Sequence, residues 1–233
     1  VKIILKCIFK DSEEKDVILS WDGCVAAGYT GRNREAVLAH IEELKKLGVP
    51  APEKVPATYW IDPNRVTKED KIYVIGEKTS GEVEVFIAKG EDGKTYVTVG
   101  SDHTDRELEK ISVSKAKQIC SKVIAPSCWE ASEILDHWDE LILRMEVKRK
   151  EDADYLLYQE GTLSKIIPLK ELERLAFEEK PKNVKLPSIF SGTVPILRGE
   201  PIFANLYRMT LTDPVLNRKI SHSYEVISLP DKI

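Results

Sequence analysis

Three acidic side chains carry the clearest chemical signal in this sequence: Glu82, Glu84 and Asp102. Residues Glu82 to Ala88 have the pattern of a strand, Glu91-Asp92-Gly93 reads as a turn, and Tyr96 to Gly100 as a second strand. Strand side chains alternate between faces, so Glu82, Glu84 and Phe86 point one way and Val83, Val85 and Ile87 the other. Asp102 follows the second strand directly. Closing the hairpin would bring three carboxylates together, the all-oxygen donor set that Mg²⁺ or Mn²⁺ takes. An exposed antiparallel strand produces the same alternation and is the commoner reason for it, and Glu-x-Glu by itself is weakly specific.

A second pair with chemical capacity lies upstream. Asn33 can cap a helix running from Arg34 to Leu47, which Gly48 and Pro50 end. At about 100° per residue, Val37, Ile41, Leu44 and Leu47 share one face. His40 falls inside that face and Glu43 on its border, three residues apart and therefore neighbours. Such a pair is either a base with its polarising carboxylate or a core-facing histidine beside a solvated glutamate. Downstream of the hairpin, Asp102, His103, Asp105 and Glu109 have the composition of a metal cluster, although Asp102 or Thr104 is also a plausible helix cap. A short helix or turn is expected from Thr104 to about Glu109, then an extended piece. Lys115, Lys117 and Lys122 follow, any one of which can project into a site as an electrophile, though most lysines stay on the surface.

The elements that must position these groups are mostly strands. Val1 to Phe9 and Val17 to Trp21 are apolar runs around a charged turn. Val49 to Arg65 carries four prolines and reads as irregular. Strand patterns recur at Ile72 to Ile75, in WDELILRMEVKRK, in ADYLLYQEG, in SIFSGTVPI and between Ile202 and Leu229. Thr162 to Glu179 reads as a helix interrupted near Pro168. The expected class is α+β and mainly β, a mixed β-roll or sandwich with a few site-capping helices. Residues 1–27 read as a small N-terminal strand extension and 28–233 as the main domain.

Composition bounds the rest. The chain has 233 residues, 42% hydrophobic and 32% charged, with a net charge of −4. No basic block interleaved with aromatics supports nucleic-acid binding, and no apolar run reaches the length of a membrane span. The start, VKIILKCIFK, is too soon interrupted by lysine for a secretory signal. Cys7, Cys24, Cys120 and Cys128 form no C-x-x-C, and their low density suits a reducing cytoplasm.

Several stretches in order resemble the fumarylacetoacetate hydrolase superfamily, and a subfamily of it with AGYTGR and SDHTDR sequences. GRNREAVLAHIEELKKLGVPAPEKVP is similar to its His-x-x-Glu region, which maps the dyad onto His40 and Glu43. Its Glu-x-Glu maps onto Glu82 and Glu84, and its Asn-Asp-x-Thr-x-Arg onto Asp102, Thr104 and Arg106. KQICSKVIAP points to Lys117, QEGTL to Gln159 and Thr162, and SGTVP to Gly192 and Thr193. The resemblance covers about residues 28 to 197. Here Asn33-Arg34 stands in place of Asn-Tyr, Ser101 in place of Asn, and Val194 is an extra residue in Gly-Thr-Pro.

The resemblance implies a β-roll with Mg²⁺ or Mn²⁺ at Glu82, Glu84 and Asp102. It implies a homodimer acting on a small 2-oxo or 1,3-dicarbonyl carboxylic acid by hydrolysis or lyase chemistry. In that reading Lys117, His40 and Glu43 are catalytic, while Arg106, Gln159 and Thr193 contact substrate, with Arg106 alternatively holding the Asp102 loop. The other reading is a catalytically silent acid-binding or scaffold protein.

Overall fold

Short apolar runs punctuated by charged turns give a strand-rich chain. The computed structural model describes residues 1–232. Strands β1 (Lys2–Ile8), β2 (Glu14–Ser20) and β3 (Gly23–Gly28) come first, then helix α1 (Arg34–Lys46) and β4 (Ala57–Ile61). Short strands β5 (Val66–Thr67), β6 (Lys71–Ile75) and β7 (Thr79–Ser80) lead into the hairpin of β8 (Val83–Gly90) and β9 (Thr95–Ser101). Next come β10 (Thr104–Asp105), α2 (Arg106–Glu109), α3 (Val113–Ile119), β11 (Lys122–Ile124), β12 (Ser127–Glu130), β13 (Ile142–Lys148) and β14 (Leu156–Thr162). Helix α4 (Leu169–Glu178) and strands β15 (Pro187–Thr193), β16 (Leu206–Asp213) and β17 (Arg218–Leu229) complete the described chain.

The main sheet runs β4-β3-β15-β8-β2-β1-β12-β9-β11-β5, and a further pairing of β8 with β9 closes it on itself. The ring β8-β2-β1-β12-β9 is thus a small barrel. A second sheet, β14-β13-β16-β17-β6, packs against β8 and β9. Two buried clusters result. Leu5, Cys7, Val17, Leu19, Phe86, Ala88 and Tyr96 belong to one, where Phe86 lies 5.3 Å from Trp21 and 4.9 Å from Phe190 between ring centroids. Val85, Ile87, Val97 and Val99 belong to the other, with Leu143, Met145, Met209 and Leu211. Strand β8 is therefore covered on both faces, each fully buried Val, Ile or Phe adding roughly 1.5–3 kcal/mol. The alternation of its side chains is as expected. The exposed-strand explanation is not, because ring closure on one side and the second sheet on the other leave β8 no solvent face.

The mainly β class agrees with expectation, and several local details differ. Residues 1–27 are no appendage: β1 and β2 are ring members and β3 lies between β4 and β15. The Pro-rich Val49 to Arg65 stretch contains β4, because Ala57–Ile61 has no proline and pairs antiparallel with β3. The expected extended piece after α2 is helix α3, capped by the Ser112 hydroxyl, which accepts from the Lys115 amide at 3.4 Å. The late helix begins only at Leu169, since Pro168 is tolerated at a helix start and not inside. The hairpin turn is as read, with Gly93 at φ +80°. Helix α1 also forms as read, with the Asn33 side chain accepting from the Ala36 amide at 3.0 Å. Among the described residues no helix is long and apolar enough to cross a membrane.

Candidate metal centre

The register of β8 and β9 creates the site. Glu84 stands opposite Gly100 and Val83 opposite Ser101. The Asp102 amide then donates to the Glu82 carbonyl at 3.0 Å, extending the pairing by one residue. Cross-strand partners share a face, so Glu82, Glu84 and Asp102 converge. One carboxylate oxygen from each lies within 4.8 Å of the others. Opposite Glu84, Gly100 makes room for the Phe190 ring, which a Cβ there would meet at 2.7 Å.

Glu84 and Asp102 are fully buried, and Glu82 keeps 18% of its side chain exposed. Asp102 is gripped from two sides. The Lys117 ammonium donates to Oδ2, and the Lys122 ammonium lies 2.8 Å from Oδ1 while also donating to the His103 carbonyl. Burial alone would raise the Asp102 pKa, but Lys117 and then Lys122 outweigh it and hold it well below the usual carboxylate range. Burial likewise disfavours charge on Lys117, yet Asp102, Glu82 and Glu84 together hold its ammonium above the ordinary lysine value. Glu84 has no ion-pair partner among the described residues. Burial first, and the neighbouring Asp102 second, push its carboxyl well above the ordinary 4.5. A crowded all-oxygen set with one member lacking a direct ion pair fits a hard divalent cation. The buried Tyr158 hydroxyl lies in the field of Arg106 and Glu82.

Neighbouring strands fix the carboxylates. β15 carries a bulge opposite β8, between Phe190 and Thr193, a common device beside sites. Through it the Ser191 hydroxyl accepts from the Val85 amide at 3.0 Å, and the Gly192 amide donates to Glu84 Oε2 at 2.9 Å. Gly192 has φ +82°, and a Cβ on it would fall 2.1 Å from Thr30 Oγ1. Thr30 in turn donates to the Ser191 carbonyl at 2.8 Å, so AGYTGR buttresses the bulge. Arg106 secures Glu82 at 3.3 Å, both oxygens of Glu109 at 3.0 and 3.2 Å, and the Ser80 hydroxyl at 2.7 Å. It holds the Glu82 side of the cluster and not Asp102, which the lysines claim.

Other expected residues are placed differently. Gln159 accepts from the Val83 amide at 3.0 Å and donates to Thr193 Oγ1 at 2.8 Å and the Val194 carbonyl at 2.7 Å. Thr193 donates to the Val83 carbonyl at 2.7 Å. Both strap β8 in place, with these donors engaged inside the protein. His40 and Glu43 are neighbours at 3.6 Å, with side chains 60% and 71% exposed. His40 does not face the core, because α1 buries only the narrow stripe of Val37 and Ile41. Neither belongs to the carboxylate cluster. His103 does not join it either: its ring nitrogens meet the Tyr224 hydroxyl at 3.0 Å and Thr79 Oγ1 at 2.9 Å. Asp105 caps α2 and Glu109 pairs with Arg106. Lys115 is exposed, so two of the three candidate lysines reach the site. Sequence reading missed Tyr29 and Tyr59, whose surroundings include Lys117 and Glu109; the AGYTGR motif around Tyr29 was the available signal.

Solved structures share this fold. A 2-keto-3-deoxy-D-arabinonate dehydratase complexed with magnesium and 2,5-dioxopentanoate superposes with a TM-score of 0.60 at 14% identity, covering 91% of this chain and 74% of its own. The maleylpyruvate hydrolase of a Sphingobium species gives 0.56 at 11% identity, covering 93% and 75%. The 4-oxalocrotonate decarboxylase of Pseudomonas putida, complexed with calcium and acetate, gives 0.56 at 12% identity, covering 90% and 78%. These are members of the fumarylacetoacetate hydrolase superfamily, and the mixed β architecture is the one they share. No curated protein sequence matches this chain. Residues 27–224 match the family described as "Protein of unknown function (DUF2848)", and the chain belongs to that family.

Proposed function

We propose that this chain is a Mg²⁺- or Mn²⁺-dependent enzyme acting on a small 2-oxo or 1,3-dicarbonyl carboxylic acid. The reaction is carbon–carbon hydrolysis or a related lyase step, carried out by a cytoplasmic homodimer without nucleic-acid or membrane partners. The observation that carries the reading is the convergence of Glu82, Glu84 and Asp102 within 4.8 Å, two of them buried, beside a charged lysine. The shared fold of a dehydratase, a hydrolase and a decarboxylase of small oxo acids supports it.

The three carboxylates would hold the ion, which when bound supplies a Lewis acid toward the oxygens of the acid. Lys117 adds a fixed positive charge next to Asp102, in a low-dielectric setting where a developing negative charge gains most from it. Lys122 fixes the opposite oxygen of Asp102. Arg106 orients Glu82, and the Gly192 amide orients Glu84. These groups are set before any ligand arrives, so little reorganisation is needed.

The exposed His40–Glu43 pair favours a second reading. With no base from that dyad at the cluster, the protein would bind the acid without turning it over. Thermal melting with and without Mn²⁺, followed by assays on acylpyruvates and oxaloacetate, separates the two. Mn²⁺ is expected to raise Tm, and Glu82→Ala to abolish that rise. An unchanged rise in Glu82→Ala sinks the site, and a rise without turnover of any acid selects the binder.

A further inference from the structure

Tyr29 is the large side chain at this site held in a backbone conformation that its type disfavours. Its φ is +57°, the left-handed region that glycine favours and a bulky residue rarely enters. Its neighbours in AGYTGR are explained by packing. Gly28 seats the Tyr59 ring, since a Cβ there would fall 2.9 Å from it, and Gly31 gives way to Val37 in the same manner. Thr30 ties to Ser191, and Arg32 ties to the Ile166 carbonyl at 2.6 Å. Tyr29 makes no such tie among the described residues. Strain of this kind persists where the surroundings impose it, and it concentrates at functional sites.

The strained turn sets Tyr29 close enough to the carboxylate cluster for its charges to act on the phenol. Its charged and phenolic surroundings are Tyr59, Glu109, Lys117 and Glu82. Tyr59, on β4 opposite Ala26, places its ring centroid 5.8 Å from the Lys117 ammonium. Both tyrosines are half-buried. The cluster's accessible surface lies on the same side: Glu82 and Glu109 retain 18% and 16% side-chain exposure and Lys117 7%, against none for Asp102 and Lys122. Tyr59 and Tyr29 are the large side chains named beside this exposed part of the cluster.

The charges on this side are already paired. Arg106 serves Glu82, Glu109 and Ser80, while Lys117 and Lys122 serve Asp102. A second carboxylate on the ligand would meet Glu82 and Glu109 with no unpaired cation among the residues named. Burial first, then Tyr59 and Glu109, push the Tyr29 phenol up to about 12, so it remains a neutral donor.

We propose that Tyr29 and Tyr59 are specificity-determining residues that form an uncharged wall for the ligand's tail. They select a 2-oxo acid ending in an alkyl, hydroxyl or carbonyl group over one ending in a second carboxylate. This rests on the metal-dependent 2-oxo-acid reading above and narrows its substrate class.

The test compares 2-oxopentanoate with 2-oxoglutarate, acids of equal chain length that differ at the far end. Binding of each to the Mn²⁺-loaded full chain is measured by calorimetry. The wall predicts that 2-oxopentanoate binds at least about tenfold more tightly, since like-charge juxtaposition costs several kcal/mol. Tyr59→Arg is expected to shrink or invert the preference by supplying a cation. Tyr29→Gly, which suits the left-handed backbone, is expected to weaken 2-oxopentanoate while leaving Tm equal or higher, so the wall is probed without loss of the fold. Equal binding of the two acids, tighter 2-oxoglutarate, no binding of either, or a preference untouched by both variants overturns the proposal. If Mn²⁺ binds in any of these cases, the metal site survives. If Mn²⁺ itself fails to bind, the underlying reading falls with it.

Discussion

The hairpin end of β8 and β9 and the helix α1 each carry a short-range pair of titratable groups, and the fold treats the two in opposite ways. Glu82 and Glu84 are two residues apart on a strand, and His40 and Glu43 three apart on a helix. In both cases local geometry puts the partners side by side, as their spacing predicts. Glu84 ends 1% exposed, between a closed ring of strands and a covering sheet. His40 ends on a helix whose packed stripe is only Val37 and Ile41 wide. The difference teaches that spacing decides adjacency, while layering decides whether adjacent charges acquire fixed partners. Inside the sheet Glu82 and Asp102 have direct ion pairs, and Glu84 has none among the described residues. On α1 the two groups have each other and water.

That contrast can be broken most severely at Lys122. Replacing it by Met leaves Asp102 buried with one cation fewer, at a cost of about 3–5 kcal/mol in denaturant unfolding. A loss below 1 kcal/mol would mean that Lys117 alone satisfies Asp102. Gly192→Ala comes next. Its Cβ would press on Thr30 Oγ1 at a φ of +82°, for an expected loss of about 1–3 kcal/mol. The Mn²⁺-induced rise in Tm should shrink with it, because the amide that orients Glu84 moves.

A third test uses pH. Glu84 has a folded pKa above its unfolded one, owing to burial and then Asp102. Its protonated form therefore stabilises the metal-free protein below the unfolded value of 4.5. That contribution is lost as pH rises through the folded value. Asp102, shifted down, works in the opposite sense: its contribution is present above the unfolded 3.8 and lost as pH falls. Glu84→Gln should remove the decline on the alkaline side, which has a limiting slope of about 1.4 kcal/mol per pH unit for one proton. Unfolding free energy against pH, with and without the substitution, reads this directly, and an identical slope in the two proteins contradicts the burial argument. The smallest effect is expected at α1. His40→Ala should change stability by less than about 0.5 kcal/mol and leave the Mn²⁺ effect on Tm intact. Lost turnover with an intact metal effect would mean that α1 reaches the site during the reaction, and would erase the contrast.

What could be read in advance follows the range of the interactions. The hairpin, its Asp-Gly turn and the one-sided alternation of Glu82, Glu84 and Phe86 depend on neighbours along the chain, and all were legible. So were Asn33 as a cap and the convergence of Asp102 with the Glu pair. Ring closure was not legible, because it joins β1 and β2 to strands more than sixty residues later. For the same reason the burial of β8 on both faces escaped notice. The second lysine was hidden because Lys115, Lys117 and Lys122 look alike until α3 turns one outward. Gln159 and Thr193 were tied to this region only through the resemblance, and their straps to Val83 need three strands in register. Tyr29 gave only its motif, since left-handed backbone at a tyrosine has no sequence signature.

The closed ring also limits how the chain can be shortened. The family match begins at residue 27, yet two staves of the barrel, β1 and β2, come before it. A fragment trimmed to the matched span would leave β8 and β12 with raw borders of unpaired amides and carbonyls, ready to pair with other chains. It would also open Phe86 and Tyr96 to water on the same face of the hairpin as the acidic cluster. The leading twenty residues hold none of the chemistry, and they keep the vessel around it shut.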